Sequence, residues 1–229
     1  MPRLKELLKG ITAEVYLPLE TKITGIAYDS RRIERGNIFV ACKGYKDDGK
    51  NYVSQVLGKG AVAIVTDERI VKRTNTIFPL ILVFDTRDAL AKLATNFYHN
   101  PADKLLLIGV TGTNGKTTIT YLLESILATA GQKVGVVGTV NYRLAKKIFP
   151  ISLTTPESVD LQKILSWMKR EKANTVVMEV SSHALVQKRV QGCNFDIAIF
   201  TNLTREHLDF HQTMENYFAA KTKLFTELN

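Results

Sequence analysis

Residues 109–118 read Gly109-Val-Thr-Gly112-Thr113-Asn114-Gly115-Lys116-Thr117-Thr118. They follow an apolar run at 105–110 and precede a segment with helical periodicity at 116–130. A strand, a glycine-rich turn and a helix in this order are typical of a loop that binds phosphate. Glycines let backbone N–H groups turn toward phosphate oxygens, and the helix N-terminus adds positive potential. We call residues 109–118 the phosphate loop.

The phosphate loop differs from the common G-x-x-x-x-G-K-[ST] pattern at one position. That pattern requires a glycine at position 110, where this chain has Val110. Within the loop, Lys116 is expected to reach the outer phosphates and the Thr117 hydroxyl to face Mg²⁺. The predicted nucleotide-binding residues are Gly112, Thr113, Asn114, Gly115, Lys116, Thr117 and Thr118.

Short apolar runs alternate with amphipathic segments on both sides of the loop. Strands are predicted at 38–41, 61–65, 80–84, 105–110, 133–137, 175–180 and 196–201. Helices are predicted at 52–59, 87–98, 116–130, 159–172 and 215–228. Near-continuous Val/Ile/Leu strands between helices indicate an α/β fold with mostly parallel sheets.

A break at 99–103, with Pro101, ends one helix before a new strand begins. We therefore expect a small N-terminal α/β domain at 1–100 and a nucleotide-binding domain at 101–229. The second domain offers only a few strands before its final helix, so we expect the chain to be part of a longer protein.

The composition limits the class of protein. Of 229 residues, 45% are hydrophobic and 23% charged, which excludes a disordered chain. No apolar run approaches the roughly 20 residues that span a bilayer, and the first residues lack the apolar core of a signal peptide. We expect a cytoplasmic protein without a membrane partner. The net charge of +9 suits a polyanionic ligand, but the basic residues are scattered, which argues against nucleic acid.

Two further motifs contain acids and histidines. Glu179 ends the apolar strand at 175–180, where phosphate-loop enzymes hold Mg²⁺. His207 and His211 are spaced to share a helix face, which fits either a zinc site or hydrogen-bonded structural histidines. Lys221, on the final helix, reads from the residues alone as part of a solvated face.

Several motifs together resemble one family, the Mur ligases. They are the phosphate loop, Met178-Glu-Val-Ser-Ser-His-Ala-Leu, Thr201-Asn-Leu-Thr-Arg-Glu-His-Leu-Asp-Phe-His and Tyr217-Phe-Ala-Ala-Lys, with Tyr28-Asp-Ser-Arg near the start. The resemblance implies a three-domain ATP-dependent ligase of peptidoglycan synthesis, and so of cell shape and division, with its amino-acid domain missing here. It is greatest to members that add the third amino acid, meso-diaminopimelate or L-lysine, to UDP-N-acetylmuramoyl-L-alanyl-D-glutamate through an acyl phosphate.

The resemblance also assigns roles to residues. It implies uridine-diphosphate contacts at Ser30, Tyr45, Lys46 and Asp47. It implies contacts to the muramoyl dipeptide at Thr154, Thr155, Ser181, Gln187 and Arg189. Lys116, Glu179, His207 and Lys221 resemble the catalytic residues, the last three as Mg²⁺ ligands beside Thr117, with Lys221 as a carbamate.

Other hypotheses stay open on the sequence. The chain, expected to be a monomer, is either part of a working ligase or a module that binds UDP sugar and ATP without turnover. Folylpolyglutamate synthase and cyanophycin synthetase use a similar loop but have different partner domains, and a zinc hydrolase is a further alternative.

Overall fold

The computed structural model describes residues 1–44, 47–67 and 78–227. These residues form two compact units, Met1–His99 and Asn100–Asn229. The predicted residues Tyr45 and Lys46 lie outside the described part of the chain.

The first unit contains a five-stranded sheet with the order β1-β5-β4-β3-β2. Strand β1 is antiparallel to β5, and the other neighbours are parallel. Its strands are β1 (Ala13–Val15), β2 (Gly25–Ala27), β3 (Asn37–Val40), β4 (Ala63–Thr66) and β5 (Leu80–Val83). Its helices are α1 (Leu4–Leu7), α2 (Val53–Gly58) and α3 (Thr86–Phe97).

The second unit contains a six-stranded sheet built around the phosphate loop. The strands are β6 (Leu106–Thr111), β7 (Val134–Val137), β8 (Tyr142–Leu144), β9 (Lys147–Phe149), β10 (Thr175–Glu179) and β11 (Ile197–Phe200). The helices are α4 (Lys116–Thr129), α5 (Ser158–Arg170), α6 (Ser182–Val186), α7 (Leu208–His211) and α8 (Met214–Thr226). The order is β11-β6-β10-β7-β8-β9; the first four are parallel, and β8 and β9 are antiparallel.

The core explains why the central strands are apolar throughout. Alternate residues of β6 and β10 point to opposite faces of the sheet. On one face, Ile108 and Val177 pack with residues of α4, and on the other, Leu107 and Val176 pack with residues of α5 and α8. Each fully buried aliphatic side chain contributes about 1.5–3 kcal/mol. Helices on both faces therefore require apolar residues at nearly every strand position.

The parallel register brings several chemically active residues to one edge of the sheet. Glu179, the last residue of β10, lies opposite Val110 of β6. Val137, the last residue of β7, lies opposite Met178. Since parallel strands end at the same edge, the phosphate loop, the residues after β7 and Glu179 converge there.

The predicted strands and long helices are present, with bounds within two residues of those expected from periodicity. The mostly parallel α/β fold is confirmed. The elements that periodicity missed are short: α1, β1, β2, the β8–β9 hairpin, α6 and α7. Across the described ranges, every helix is too short or too polar to cross a membrane.

Candidate functional site

The phosphate loop turns sharply between β6 and α4. Gly112 has φ +139°, and a Cβ there would collide with Thr201 Oγ1, so only glycine fits. Asn202 braces the turn: its carbonyl accepts from Thr113 N at 2.9 Å and its Oδ1 from Asn114 N at 3.0 Å. These two N–H groups therefore point at Asn202. The N–H groups of the first turn of α4 are those that a helix leaves for an anion.

Lys116 begins α4 and folds back over the loop. Its Nζ donates to the carbonyls of Gly112 at 2.9 Å and Thr113 at 2.8 Å. Burial lowers the pKa of this ammonium, while Glu179 and Glu206 act in the opposite direction. Two of the three N–H donors of the ammonium bind these carbonyls, so the ammonium is held beside Gly112 and Thr113.

Glu179 is the buried acid of the site, with 1% of its surface exposed. Its Oε1 accepts from Thr117 Oγ1 and from the Thr139 backbone N, both at 2.9 Å. Its Oε2 accepts from Thr139 Oγ1 at 3.0 Å. The carboxylate and the Thr117 hydroxyl supply adjacent oxygen ligands, the type that Mg²⁺ prefers. The residues present thus fit a magnesium ion beside the phosphate loop.

Lys221 lies beneath the loop, not on a solvated face. The interpretation from the residues alone is wrong, because this lysine on α8 is 1% exposed. Its Nζ donates to the Gly112 carbonyl at 2.8 Å and lies 4.6 Å from the centre of the Tyr217 ring. Burial, and then the positive charge of Lys116, lower the pKa of Lys221 to about 8. A larger fraction of this amine is therefore neutral near pH 7 than for an ordinary lysine.

The histidines form an aromatic cluster with Tyr217, whose hydroxyl contacts Thr113 of the phosphate loop. His207 is exposed, precedes α7 with φ +56°, and its ring centre lies 4.9 Å from that of His183. His211 is buried and its Nε2 lies 2.9 Å from Ser182 Oγ. Burial lowers the pKa of His211 to about 4. In the described ranges, no three His, Cys, Asp or Glu side chains are grouped to hold a metal, so a zinc hydrolase gains no support.

The residues assigned to the muramoyl dipeptide come together beside Glu179. Thr155 Oγ1 donates to the Glu179 carbonyl at 2.9 Å and accepts from Ser181 N at 3.0 Å. Thr154 Oγ1 lies 3.1 Å from Thr139 Oγ1. A loop before α5 is thus attached directly to the end of β10.

Arg189 holds this loop from the other side. It donates to the Thr155 carbonyl at 3.0 Å and to Gln187 Oε1 at 2.5 Å. Its Nε lies 2.8 Å from a Glu157 carboxylate oxygen, and both side chains are 12% exposed. Two predicted contact residues, Gln187 and Arg189, therefore also shape the loop.

Ser30 and Asp47 belong to the first unit. Ser30 is buried at the start of a 3₁₀ turn, and its carbonyl accepts from Lys59 Nζ at 2.9 Å. Asp47 is exposed and accepts a hydrogen bond from the Tyr52 hydroxyl, which lowers the pKa of Asp47. Asp47 is thus open to a ligand and Ser30 is not, and the uridine role of both stays a prediction.

Sequence reasoning missed Thr139 and Tyr217. Tyr217 is fully buried, and its hydroxyl lies 3.1 Å from Thr113 Oγ1, under the phosphate loop. Thr139 follows β7 by two residues. The signal for Thr139 was its position just after a strand of the parallel sheet, at the edge where ligands bind.

Comparison with known protein families gives two matches. Residues 110–229 match the Mur ligase middle domain, and residues 22–98 match the model described as Mur ligase family, catalytic domain.

Individual relatives agree with these matches. The UDP-N-acetylmuramoyl-L-alanyl-D-glutamate–2,6-diaminopimelate ligase of Caldanaerobacter subterraneus subsp. tengcongensis is 49% identical over 97% of this chain and 46% of its own length. The enzyme of the same name from Geobacter metallireducens is 46% identical over 99% of this chain and 44% of its own length. The chain therefore spans about half the length of the curated relatives it matches.

Solved structures show the same fold. A structure named UDP-N-acetylmuramoyl-L-alanyl-D-glutamate–2,6-diaminopimelate ligase aligns with a TM-score of 0.83 at 30% identity, over 98% of this chain and 45% of that one. MurF from Acinetobacter baumannii aligns with a TM-score of 0.68 at 22% identity, over 99% of this chain and 46% of that one. The second likeness concerns the fold alone.

Proposed function

The chain belongs to the Mur ligase family, and we propose that it forms the ATP- and UDP-sugar-binding part of a carbon–nitrogen ligase. The proposed substrate is UDP-N-acetylmuramoyl-L-alanyl-D-glutamate, and the amino acid added is meso-diaminopimelate, otherwise L-lysine. The names of the relatives support diaminopimelate as the amino acid that is added. Residues 1–100 are proposed to bind the UDP sugar, and 101–229 to bind ATP.

One observation supports this proposal most strongly. Glu179 accepts from Thr117 of the phosphate loop, while its own carbonyl accepts from Thr155 of the loop assigned to the dipeptide. A nucleotide held on one side and a carboxylate substrate held on the other would therefore meet at the same strand end. Phosphoryl transfer between two anions requires such fixed placement and cationic groups.

The residues of the loop have distinct proposed roles. Residues 112–118 would hold the ATP phosphates, mainly through the N–H groups of the first turn of α4, because those of Thr113 and Asn114 bind Asn202; the Lys116 ammonium would offset the phosphate charge. Thr117 and Glu179, which are hydrogen-bonded to each other, would hold Mg²⁺, and the family resemblance adds His207 and the carbamate of Lys221 as further ligands. When bound, Mg²⁺ neutralises charge on the phosphate oxygens. These placements prepare transfer of the terminal phosphate of ATP to the D-glutamate carboxylate, which releases ADP and gives an acyl phosphate. Attack by the amine of the incoming amino acid on the acyl carbon then releases inorganic phosphate and a proton.

The carbamate of Lys221 fits its surroundings. Carbamate formation joins the neutral amine nitrogen to the carbon of CO₂ and releases one proton. Burial lowers the pKa of Lys221 to about 8, which raises the fraction of neutral amine at physiological pH. Mass spectrometry of the native protein in bicarbonate, with Lys221→Ala as the reference, tests this modification. A Lys221→Ala enzyme that keeps normal turnover would exclude the role.

Calorimetry on the 229-residue chain tests the binding functions. The wild type is expected to bind a Mg²⁺-loaded, non-hydrolysable ATP analogue and the UDP-muramoyl dipeptide. Lys116→Ala should weaken nucleotide binding at least about tenfold, since a charge-assisted contact is lost. Lys163→Ala, which removes an exposed lysine on α5, is the matched control and should bind normally. Equal nucleotide affinity of Lys116→Ala and wild type would refute the phosphate-loop assignment.

Phosphate release separates the two hypotheses on turnover. A ligase releases phosphate from ATP only when both the UDP-muramoyl dipeptide and the correct amino acid are present. Parallel reactions with meso-diaminopimelate and L-lysine identify the acceptor. Phosphate release by the 229-residue chain would exclude the binding module, whereas binding without release is expected of this chain under both hypotheses. The same assay on the chain joined to an amino-acid domain then decides: binding without release there favours the module. The cytoplasmic location, the monomeric state and the absence of nucleic-acid and membrane partners stay predictions.

A further inference from the structure

Thr139 supplies two of the hydrogen bonds that hold the Glu179 carboxylate. Its backbone N–H donates to Oε1 at 2.9 Å and its hydroxyl donates to Oε2 at 3.0 Å. Thr139 itself is exposed, whereas Glu179 is buried. One surface residue therefore contacts both oxygens of the buried acid and fixes the plane of its carboxylate.

Gly138 makes this contact possible. A Cβ at Gly138 would collide with Glu179 Oε1, so the chain after β7 approaches the carboxylate closely only because no side chain intervenes. Gly138 and Thr139 thus act together: the glycine leaves space for the carboxylate, and the threonine donates hydrogen bonds to it.

The Thr139 hydroxyl also reaches the loop assigned to the dipeptide. Its Oγ1 lies 3.1 Å from Thr154 Oγ1. A hydroxyl has one proton, and the Thr139 proton is used in the bond to Glu179 Oε2. Thr154 must then be the donor in the second bond. The direction of this chain of hydrogen bonds, from Thr154 through Thr139 to Glu179, is therefore fixed.

We infer that Thr139 is a positioning residue that orients Glu179 and links it to Thr154, so that nucleotide and muramoyl-dipeptide binding are coupled. The inference rests on the proposed function, since that assigns Mg²⁺ to Glu179 and the dipeptide to Thr154. Coupling of this kind is reciprocal: each ligand tightens the binding of the other by the same factor.

Thr139→Val tests the inference with little change of shape. Valine removes the hydroxyl but keeps the backbone N–H bond to Glu179. Thr139→Ser restores the hydroxyl and is the rescue variant. Thr129→Val is the matched control, because the Thr129 hydroxyl donates only within α4, to the Ser125 carbonyl at 2.9 Å.

Calorimetry measures Mg²⁺ affinity in the presence of the ATP analogue, and dipeptide affinity with and without Mg²⁺-nucleotide. Thr139→Val should lower Mg²⁺ affinity about 10- to 100-fold, the usual effect of losing a residue that orients a metal ligand. Nucleotide affinity in EDTA should change less than about twofold, since the phosphate loop is untouched. In the wild type, Mg²⁺-nucleotide should tighten dipeptide binding at least about fivefold, and in Thr139→Val this factor should approach one.

The opposite results overturn the inference. One is a Thr139→Val variant with the Mg²⁺ affinity and the coupling of the wild type. Another is a Thr139→Val variant whose nucleotide affinity falls equally with and without Mg²⁺. The third is a Thr139→Ser variant with the same losses as Thr139→Val. A merely structural role would lower stability without this split between Mg²⁺-dependent and Mg²⁺-independent binding.

A ligand-free measurement separates this inference from the proposed function. Urea unfolding, followed by the fluorescence of Trp167, the single tryptophan, gives a double-mutant cycle for Thr139→Val and Glu179→Ala. An interaction of about tenfold in the unfolding constant supports the contact, and additive effects overturn it. If the wild type binds neither ligand, the proposed function fails, while the cycle still decides whether Thr139 holds Glu179.

Discussion

Gly138→Ala should displace the Glu179 carboxylate while leaving the backbone unstrained. The backbone at Gly138 lies outside the left-handed region, so alanine is acceptable there apart from the collision of its Cβ with Glu179 Oε1. The carboxylate accepts three hydrogen bonds, at 2.9, 2.9 and 3.0 Å. A hydrogen bond to a charged group contributes about 1.5–3 kcal/mol, and at least one must be lost. We therefore expect a destabilisation of about 2–3 kcal/mol.

Trp167 makes the measurement specific, because it lies on α5 in the same unit as Gly138. Urea unfolding followed by its fluorescence reports on that unit alone, which matters for a chain with two units. Mg²⁺ affinity in the presence of the ATP analogue is measured in parallel, and it should fall about tenfold or more, since Glu179 no longer faces Thr117.

Gly131→Ala is the control for general destabilisation. Gly131 has φ +82° at the end of α4, and no atom lies within 4 Å of its added Cβ. Alanine there should cost about 1–2 kcal/mol through backbone strain and leave Mg²⁺ affinity unchanged. The reasoning is refuted if Gly138→Ala is as stable as the wild type, or if it binds Mg²⁺ as tightly as Gly131→Ala does.

Three further predictions concern Cys193, Tyr217 and Glu157. Burial raises the pKa of Cys193 to about 12, so the folded state favours the neutral thiol. The contribution of this thiol to the free energy of unfolding is therefore full below about pH 9 and is lost between pH 9 and 12. Cys193→Ala should reduce this loss when urea unfolding is measured at each pH. Tyr217→Phe removes the hydrogen bond between the Tyr217 hydroxyl and Thr113 Oγ1, while Thr113 keeps its contacts to the Thr204 backbone, and should cost about 1 kcal/mol. An unchanged urea midpoint would show that this bond contributes nothing to stability. Glu157→Gln breaks the ion pair with Arg189 and should weaken dipeptide binding several-fold in calorimetry. An equal fall in nucleotide affinity would contradict a local effect.

Local sequence patterns predicted the main elements because their causes are local. Apart from Leu106, which is 40% exposed, the residues of β6 and β10 are buried on both faces, so nearly every position of these strands requires an apolar residue. The positive φ of Gly112 and Gly115 is likewise a local requirement of the turn in the phosphate loop. Short elements such as α7 and the β8–β9 hairpin have too few residues for a period to appear.

The contacts of the site depend on residues far apart in the chain. The interpretation of Lys221 as part of a solvated face failed because the residues of a helix do not reveal what packs against each of its faces. In the folded chain, the Lys221 ammonium donates to the Gly112 carbonyl of the phosphate loop. The role of Thr139 was equally hidden, since its neighbours along the chain contain no acid or metal-binding pattern. Its function depends on Glu179, 40 positions away.

The α/β class, the phosphate loop and the family resemblance can be predicted from the sequence, because each depends on consecutive or periodically spaced residues. The contacts between side chains appear only in the folded chain: Thr117 and Thr139 with Glu179, Thr154 with Thr139, and Lys221 with the loop. They arise because parallel strands align their carboxyl ends through register and packing across the whole unit. Hydrogen-bond partners at that edge are therefore fixed by the sheet, not by spacing along the chain.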